Sequence, residues 1–138
     1  AEMTSVLIKE IEKKEYSFMC VNYPNPDMVG HTGDMEAGIL AIKTVDAEVE
    51  RLIKAAQRNK IIVLITADHG NVEEMINLRT GEVDTEHSTN PVPFIVIGKN
   101  FYKKKKKLRK GKLADIAPTI LKLLGIKKPK EMTGKSLI

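Results

Sequence analysis

The sequence predicts an α/β sandwich built on a mainly parallel sheet. Two observations carry that expectation. Ile61-Ile-Val-Leu-Ile-Thr66 is a continuous, largely β-branched run, the pattern of a strand covered on both faces. Segments of helical period alternate with it and with the apolar run Pro93-Phe-Ile-Val-Ile-Gly98, as in layered α/β folds.

Taken in order, Met3, Leu7 and Ile11 recur at i, i+4 and i+8 and predict a helix over about 2–14. Tyr16-Ser-Phe-Met-Cys-Val-Asn22 reads as a strand, and Pro24, Pro26 and Gly30 read as a loop. Asp34 is placed to cap a long helix with the stripe Met35, Ile39, Ile42, Val45, Val49, Leu52 and Ala56, which Asn59 can stop. Strands over 61–66 and 93–98 come next. Asp115 then caps a helix carrying Ile116, Ile120, Leu123 and Leu124, with Pro118 tolerable in its first turn and Gly125 ending it. The tail 132–138 reads as irregular.

A chain of 138 residues, 42% apolar and 30% charged, has the composition of one globular domain. No apolar run approaches the roughly 20 residues that span a bilayer, so no membrane partner is expected. The single cysteine, Cys20, excludes an intrachain disulfide and suits a cytoplasmic location. The net charge of +5 is local. Lys103 to Lys107, Arg109, Lys110 and Lys112 hold eight basic residues in ten positions, and the remaining 15 basic and 18 acidic residues balance to −3. Phe101 and Tyr102 precede this run rather than interleave with it, so a solvated loop is expected and not a nucleic-acid surface. The chain opens directly on helical periodicity, and three strands make a small sheet for so apolar a central run. A longer parent protein is therefore expected, with association through an open sheet edge as an option for the isolated piece.

The chemistry concentrates around the three histidines. His31 stands four residues after Asp27, His69 comes directly after Asp68, and His87 precedes Ser-Thr-Asn-Pro. Singly, each is explained without function: Asp27 could close a turn after Pro26, and Asp68 could cap the segment after Thr66. Jointly they make a different case. Asp68 ends an apolar strand, where an unpaired buried carboxylate would cost several kcal/mol unless a cation compensates it. Two carboxylates and three imidazoles without a thiolate suit Mn²⁺ or Zn²⁺. Five ligands exceed what one tetrahedral ion takes, so two ions are expected, the arrangement that stabilises attacking and leaving oxygens in phosphoryl transfer. No Ser, Thr or Cys stands out as the nucleophile.

Asn25-Pro-Asp-Met-Val-Gly-His-Thr-Gly33, Thr66-Ala-Asp-His-Gly-Asn71, His87-Ser-Thr-Asn-Pro-Val-Pro93 and Leu113-Ala-Asp-Ile-Ala-Pro-Thr119 stand in an order that resembles cofactor-independent (2,3-bisphosphoglycerate-independent) phosphoglycerate mutase. Glu131-Met-Thr-Gly-Lys-Ser-Leu-Ile138 resembles that family's carboxyl terminus. The Asp-His-Gly and Asp-Ile-Ala-Pro-Thr elements are shared across the alkaline phosphatase superfamily; the other two motifs are more diagnostic. The resemblance implies that residues 1–138 are a carboxyl-terminal fragment of an alkaline-phosphatase-like three-layer sandwich. It further implies that Asp27, His31 and His87 hold one Mn²⁺ while Asp68 and His69 contribute to a second. The family's nucleophilic Ser and its transferase domain have no counterpart here. The implied activity of the parent, a glycolytic isomerase, is interconversion of 3- and 2-phosphoglycerate through a phosphoserine, with this chain alone inactive. Another two-metal phosphomutase or phosphatase, or a folded fragment without catalysis, are the alternatives.

Overall fold

The computed structural model describes residues 1–99, 101 and 108–138. It divides into two compact units, Ala1–Lys99 and Asn100–Ile138. Much of the basic run, Lys103 to Lys107, lies outside the described residues.

In the first unit, α1 (Glu2–Lys13) ends on Lys14 in the left-handed region, φ 59°. It buries Thr4 and Ile11, and it packs against the long helix α3 (Met35–Arg58). The Thr4 hydroxyl pairs with the Tyr23 hydroxyl at 2.9 Å. The strand expected over 16–22 does not form. No ladder partner flanks it among the described residues, and Tyr16 and Phe18 remain exposed. Without a neighbouring strand, its backbone N–H and C=O groups have no ladder to join.

The expected loop after it is instead a short helix, α2 (Asn25–Gly30). Pro26 sits in its first turn, where a missing N–H costs nothing. Asp34 caps α3 as the sequence predicts, its carboxylate accepting the Ala37 N–H at 3.0 Å. Asn59 closes the helix, donating from both backbone and side chain to the Ala55 carbonyl.

The face that α3 buries differs from the expected stripe. Leu52 and Ala56 are buried as expected, but towards the amino end Gly38 and Ala41 turn inward while Met35, Ile39 and Ile42 stay exposed. The cause is close approach. The fully buried Met75 lies against Gly38, where a Cβ would stand 2.8 Å from its sulfur. Only a residue without a side chain leaves that space, so small residues are favoured there over the bulkier apolar ones.

Strands β1 (Val63–Thr66) and β2 (Phe94–Ile97) pair antiparallel, Val63 opposite Ile97 and Thr66 opposite Phe94. This one pair runs antiparallel within a sheet expected to be mainly parallel. A parallel pair needs a crossover, usually a helix, and the chain between β1 and β2 holds only the short 3-10 turn Val72–Glu74 and two isolated bridges. Nor is β1 covered on both faces: Val63–Ile65 are half-buried and Thr66 is exposed. The mixed α/β character stands. Its sheet is represented by two strands among the described residues.

In the second unit, a 3-10 turn (Leu113–Asp115) leads into α4 (Ile116–Leu123), with Pro118 in the first turn and Gly125 at φ 71° just beyond the end. Asp115 opens the helix but does not cap it by its side chain. Its carboxylate accepts the Lys112 N–H at 2.9 Å and the Lys135 N–H at 2.7 Å, tying the irregular tail to the helix start. The buried Thr119 adds a second tie, donating to the Asp115 carbonyl at 2.7 Å and accepting the Leu137 N–H at 2.9 Å. No helix among the described residues is long and apolar enough to cross a membrane.

Candidate metal centre

Helix α2 sets the first two site residues. Asp27 lies in its first turn and His31 just past its end, and a separation of four residues puts both side chains on one helical face. His31 Nε2 stands 3.4 Å from Asp27 Oδ1. The third side chain arrives from the loop before β2. His87 Nε2 lies 3.1 Å from His31 Nε2 and 3.3 Å from Asp27 Oδ1.

These three atoms form a nearly equilateral triangle. Donors held about 2.1 Å from a shared tetrahedral ion would stand roughly 3.4 Å apart, so the spacing is that of one coordination sphere. The chemistry of the set agrees. His31 Nδ1 is 2.6 Å from the Thr85 carbonyl, a contact that only an N–H can make favourably, so the neutral ring keeps its lone pair on Nε2, facing the triangle. A carboxylate oxygen and an imidazole lone pair converging on a second imidazole invite a cation between them.

The remaining support lies around Asp27. Asn71, almost fully buried, donates from Nδ2 to Asp27 Oδ1 at 3.1 Å, while its own Oδ1 has no partner among the described residues. Gly30 makes room for this amide: a Cβ there would stand 1.9 Å from Asn71 Oδ1.

Asp68 and His69 stand beside the triangle and not within it. The His69 ring stacks on His87 with centroids 3.8 Å apart and planes 18° off parallel. Its Nδ1 is 3.9 Å from Asp27 Oδ1, and its Nε2 is 3.7 Å from Asp68 Oδ2. The Asp68 side chain is 84% exposed, which removes the burial argument made for it from the sequence. Its strand end is open, so water solvates the charge. The five residues thus divide into a convergent trio and an adjacent pair.

Sequence reasoning passed over the groups that hold the trio in place. Asn71 and Ser88 lie inside quoted motifs without a role, and Thr85 acts through a carbonyl that no residue type reveals. Glu73 was missed altogether. Its carboxylate accepts the Asn71 N–H at 2.8 Å, the Ser88 hydroxyl, and the Asn90 amide at 3.3 Å. These bonds, that from Ser88 foremost, hold its carboxyl below the ordinary glutamate range. The available signal was a pair of acids directly after a histidine motif.

Residues 1–128 match the profile of the metalloenzyme superfamily. The chain is 53% identical over 137 residues to the 2,3-bisphosphoglycerate-independent phosphoglycerate mutase of Acetivibrio thermocellus, covering 99% of this chain and 26% of that protein. It is 50% identical to the like-named protein of Ehrlichia ruminantium, covering 27% of it. Among solved structures, a Leishmania mexicana phosphoglycerate mutase studied at low cobalt concentration is similar with a TM-score of 0.86 and 30% identity, over 99% of this chain and 27% of that one. The chain therefore spans about a quarter of the length of the relatives it matches.

Proposed function

Since the chain belongs to the metalloenzyme superfamily, we propose that it is the metal-holding part of a 2,3-bisphosphoglycerate-independent phosphoglycerate mutase. The observation that carries this reading is the Asp27–His31–His87 triangle, together with the relatedness at about half identity over nearly the whole chain. Asp27, His31 and His87 would hold one divalent ion, and Asp68 with His69 would contribute to a second. Two nitrogens and a carboxylate oxygen without sulfur suit Mn²⁺, with Zn²⁺ a competitor.

Divalent ions held by these residues would supply electrophilic stabilisation of charge developing on a phosphoryl group. The chain's own residues prepare for that. The Thr85 carbonyl selects the His31 tautomer, Asn71 orients the Asp27 oxygen, and His69 packs the His87 ring into place. The substrate of the whole protein is 3-phosphoglycerate, isomerised to 2-phosphoglycerate. The serine that would carry the phosphoryl group in such a mutase has no counterpart in residues 1–138, so this chain alone is expected to show no turnover. Conversion of 3-phosphoglycerate by the purified chain, free of host enzyme, would overturn that expectation.

The metal reading is tested by Mn²⁺ titration of His31→Ala against His69→Ala. The first should lose most of the binding and the second much less. Equal loss in both would count against a trio-centred site. Binding should also weaken as the solution is acidified below neutrality, because a protonated imidazole has no lone pair to give.

A further inference from the structure

The two loops that bring His69 and His87 together are separated by many residues, and something must set their spacing. Backbone pairing does part of it: Gly70 and Ser88 form an isolated antiparallel bridge, with the Ser88 N–H donating to the Gly70 carbonyl at 2.8 Å. One bridge is a weak hinge. Across it reaches the Glu73 carboxylate, Oε2 on the Asn71 N–H and Oε1 on the Ser88 hydroxyl and the Asn90 amide. Each oxygen serves a different loop. Gly70 leaves the gap through which the carboxylate passes, since a Cβ there would stand 2.0 Å from Glu73 Oε1 and 2.2 Å from Ser88 Oγ.

We propose that Glu73 is the positioning residue of this centre, a carboxylate clamp that ties the loop bearing His69 to the loop bearing His87 and so fixes the stacking of the two rings. Glu73 is not a member of the convergent donor trio. It acts through the groups on either side of it: Asn71, which also holds Asp27, and Ser88, the residue after His87. A glutamate that only stabilised its own 3-10 turn would need no bond to a residue fifteen positions away. Hydrogen bonds to an ionised acceptor are about twice as strong as neutral ones, which suits a clamp between two otherwise loosely joined loops.

The metal arm of this inference rests on the reading of the site as a metal centre; the geometric arm does not. The test compares the full chain with its Glu73→Ala and Ser88→Ala variants. It records the nuclear Overhauser contact between the His69 and His87 ring protons without metal, then follows free Mn²⁺ by electron paramagnetic resonance during titration. Both variants should lose the ring contact while retaining the helical circular dichroism, and both should bind Mn²⁺ about 10–100-fold more weakly. Survival of the ring contact in either variant overturns the clamp. If Glu73→Ala does not fold, Ser88→Ala decides by itself, since it deletes only a hydroxyl from a surface loop. Loss of the ring contact in variants of a chain that binds no Mn²⁺ even as wild type would uphold the clamp and sink the metal reading.

Discussion

At the scale of single residues, the centre depends on space as much as on charge. Asn71 reaches Asp27 only because Gly30 contributes no side chain. Gly30→Ala should push the amide away, at a cost of about 1–3 kcal/mol in stability for overpacking, and should weaken Mn²⁺ binding as Asp27 loses its orienting donor. Thermal melting and metal titration of the same variant check both; unchanged affinity would show that Asn71 is dispensable. The convergence of Asp27, His31 and His87 was legible in the sequence because such chemistry uses few residue types at short, telling intervals. Asp27 with His31, and His87 before Ser-Thr-Asn-Pro, are of that kind. Asn71, Thr85 and Glu73 were not legible. An amide, a main-chain carbonyl and one acid of a pair take their meaning from contacts with distant parts of the chain, 15 to 54 residues away, which no local pattern encodes.

At the scale of elements, caps and periodicity were readable and packing partners were not. Asp34 and Asn59 bracket α3 where the sequence places them, because capping is local chemistry. Gly38 turns inward against Met75, and no helical period reports on a residue from another segment. Met75→Ala should cost about 2–5 kcal/mol, as for other fully buried side chains. Gly38→Ala is a finer test. Overpacking against the Met75 sulfur costs about 1–3 kcal/mol, and helix propensity offsets about 1 kcal/mol of it, so a net loss near 1 kcal/mol is expected in a denaturant melt. In the second unit, Thr119→Val leaves the buried Leu137 N–H without an acceptor and should cost about 1–3 kcal/mol. The missing strand at 16–22 belongs to this scale too. Its residues have strand character, but a strand is a relation between two segments.

At the scale of the whole molecule, two properties can be measured. The first is acid sensitivity. The Asp115 carboxyl is held below the ordinary aspartate range by the Lys135 N–H and then the Lys112 N–H, and Glu73 is held low by Ser88. A carboxyl depressed on folding contributes stability that is complete above its unfolded value, about 4, and is lost as pH falls through the lower folded value. Melting temperature should therefore fall with pH below about 4, and Asp115→Asn should flatten part of that decline. An equal slope in wild type and variant would discount the tail clamp. The second property is association. Met28, Leu40, Ile39 and Ile42 are exposed on the first unit, and β1 and β2 each have an unpaired edge among the described residues. Sedimentation velocity should show a mass that rises with concentration. The α/β class was visible from the apolar run and the alternating periods and the family from motifs, whereas the direction of the β1–β2 pair was not, because it depends on what the connection between strands becomes.

The antiparallel pairing of β1 with β2 has a bearing on folding kinetics. It returns the chain to the end of the sheet from which it left, so the segments carrying His69 and His87 can meet within one stretch of about 35 residues. Closing a loop of that size costs a few tenths of a kcal/mol less entropy than recruiting α2, whose His31 lies 56 residues before His87. The stacked imidazole pair is therefore expected to form before Asp27 and His31 join it. A chain refolding with Mn²⁺ present should accordingly gain its metal in the slow phase, after the sheet signal has already appeared.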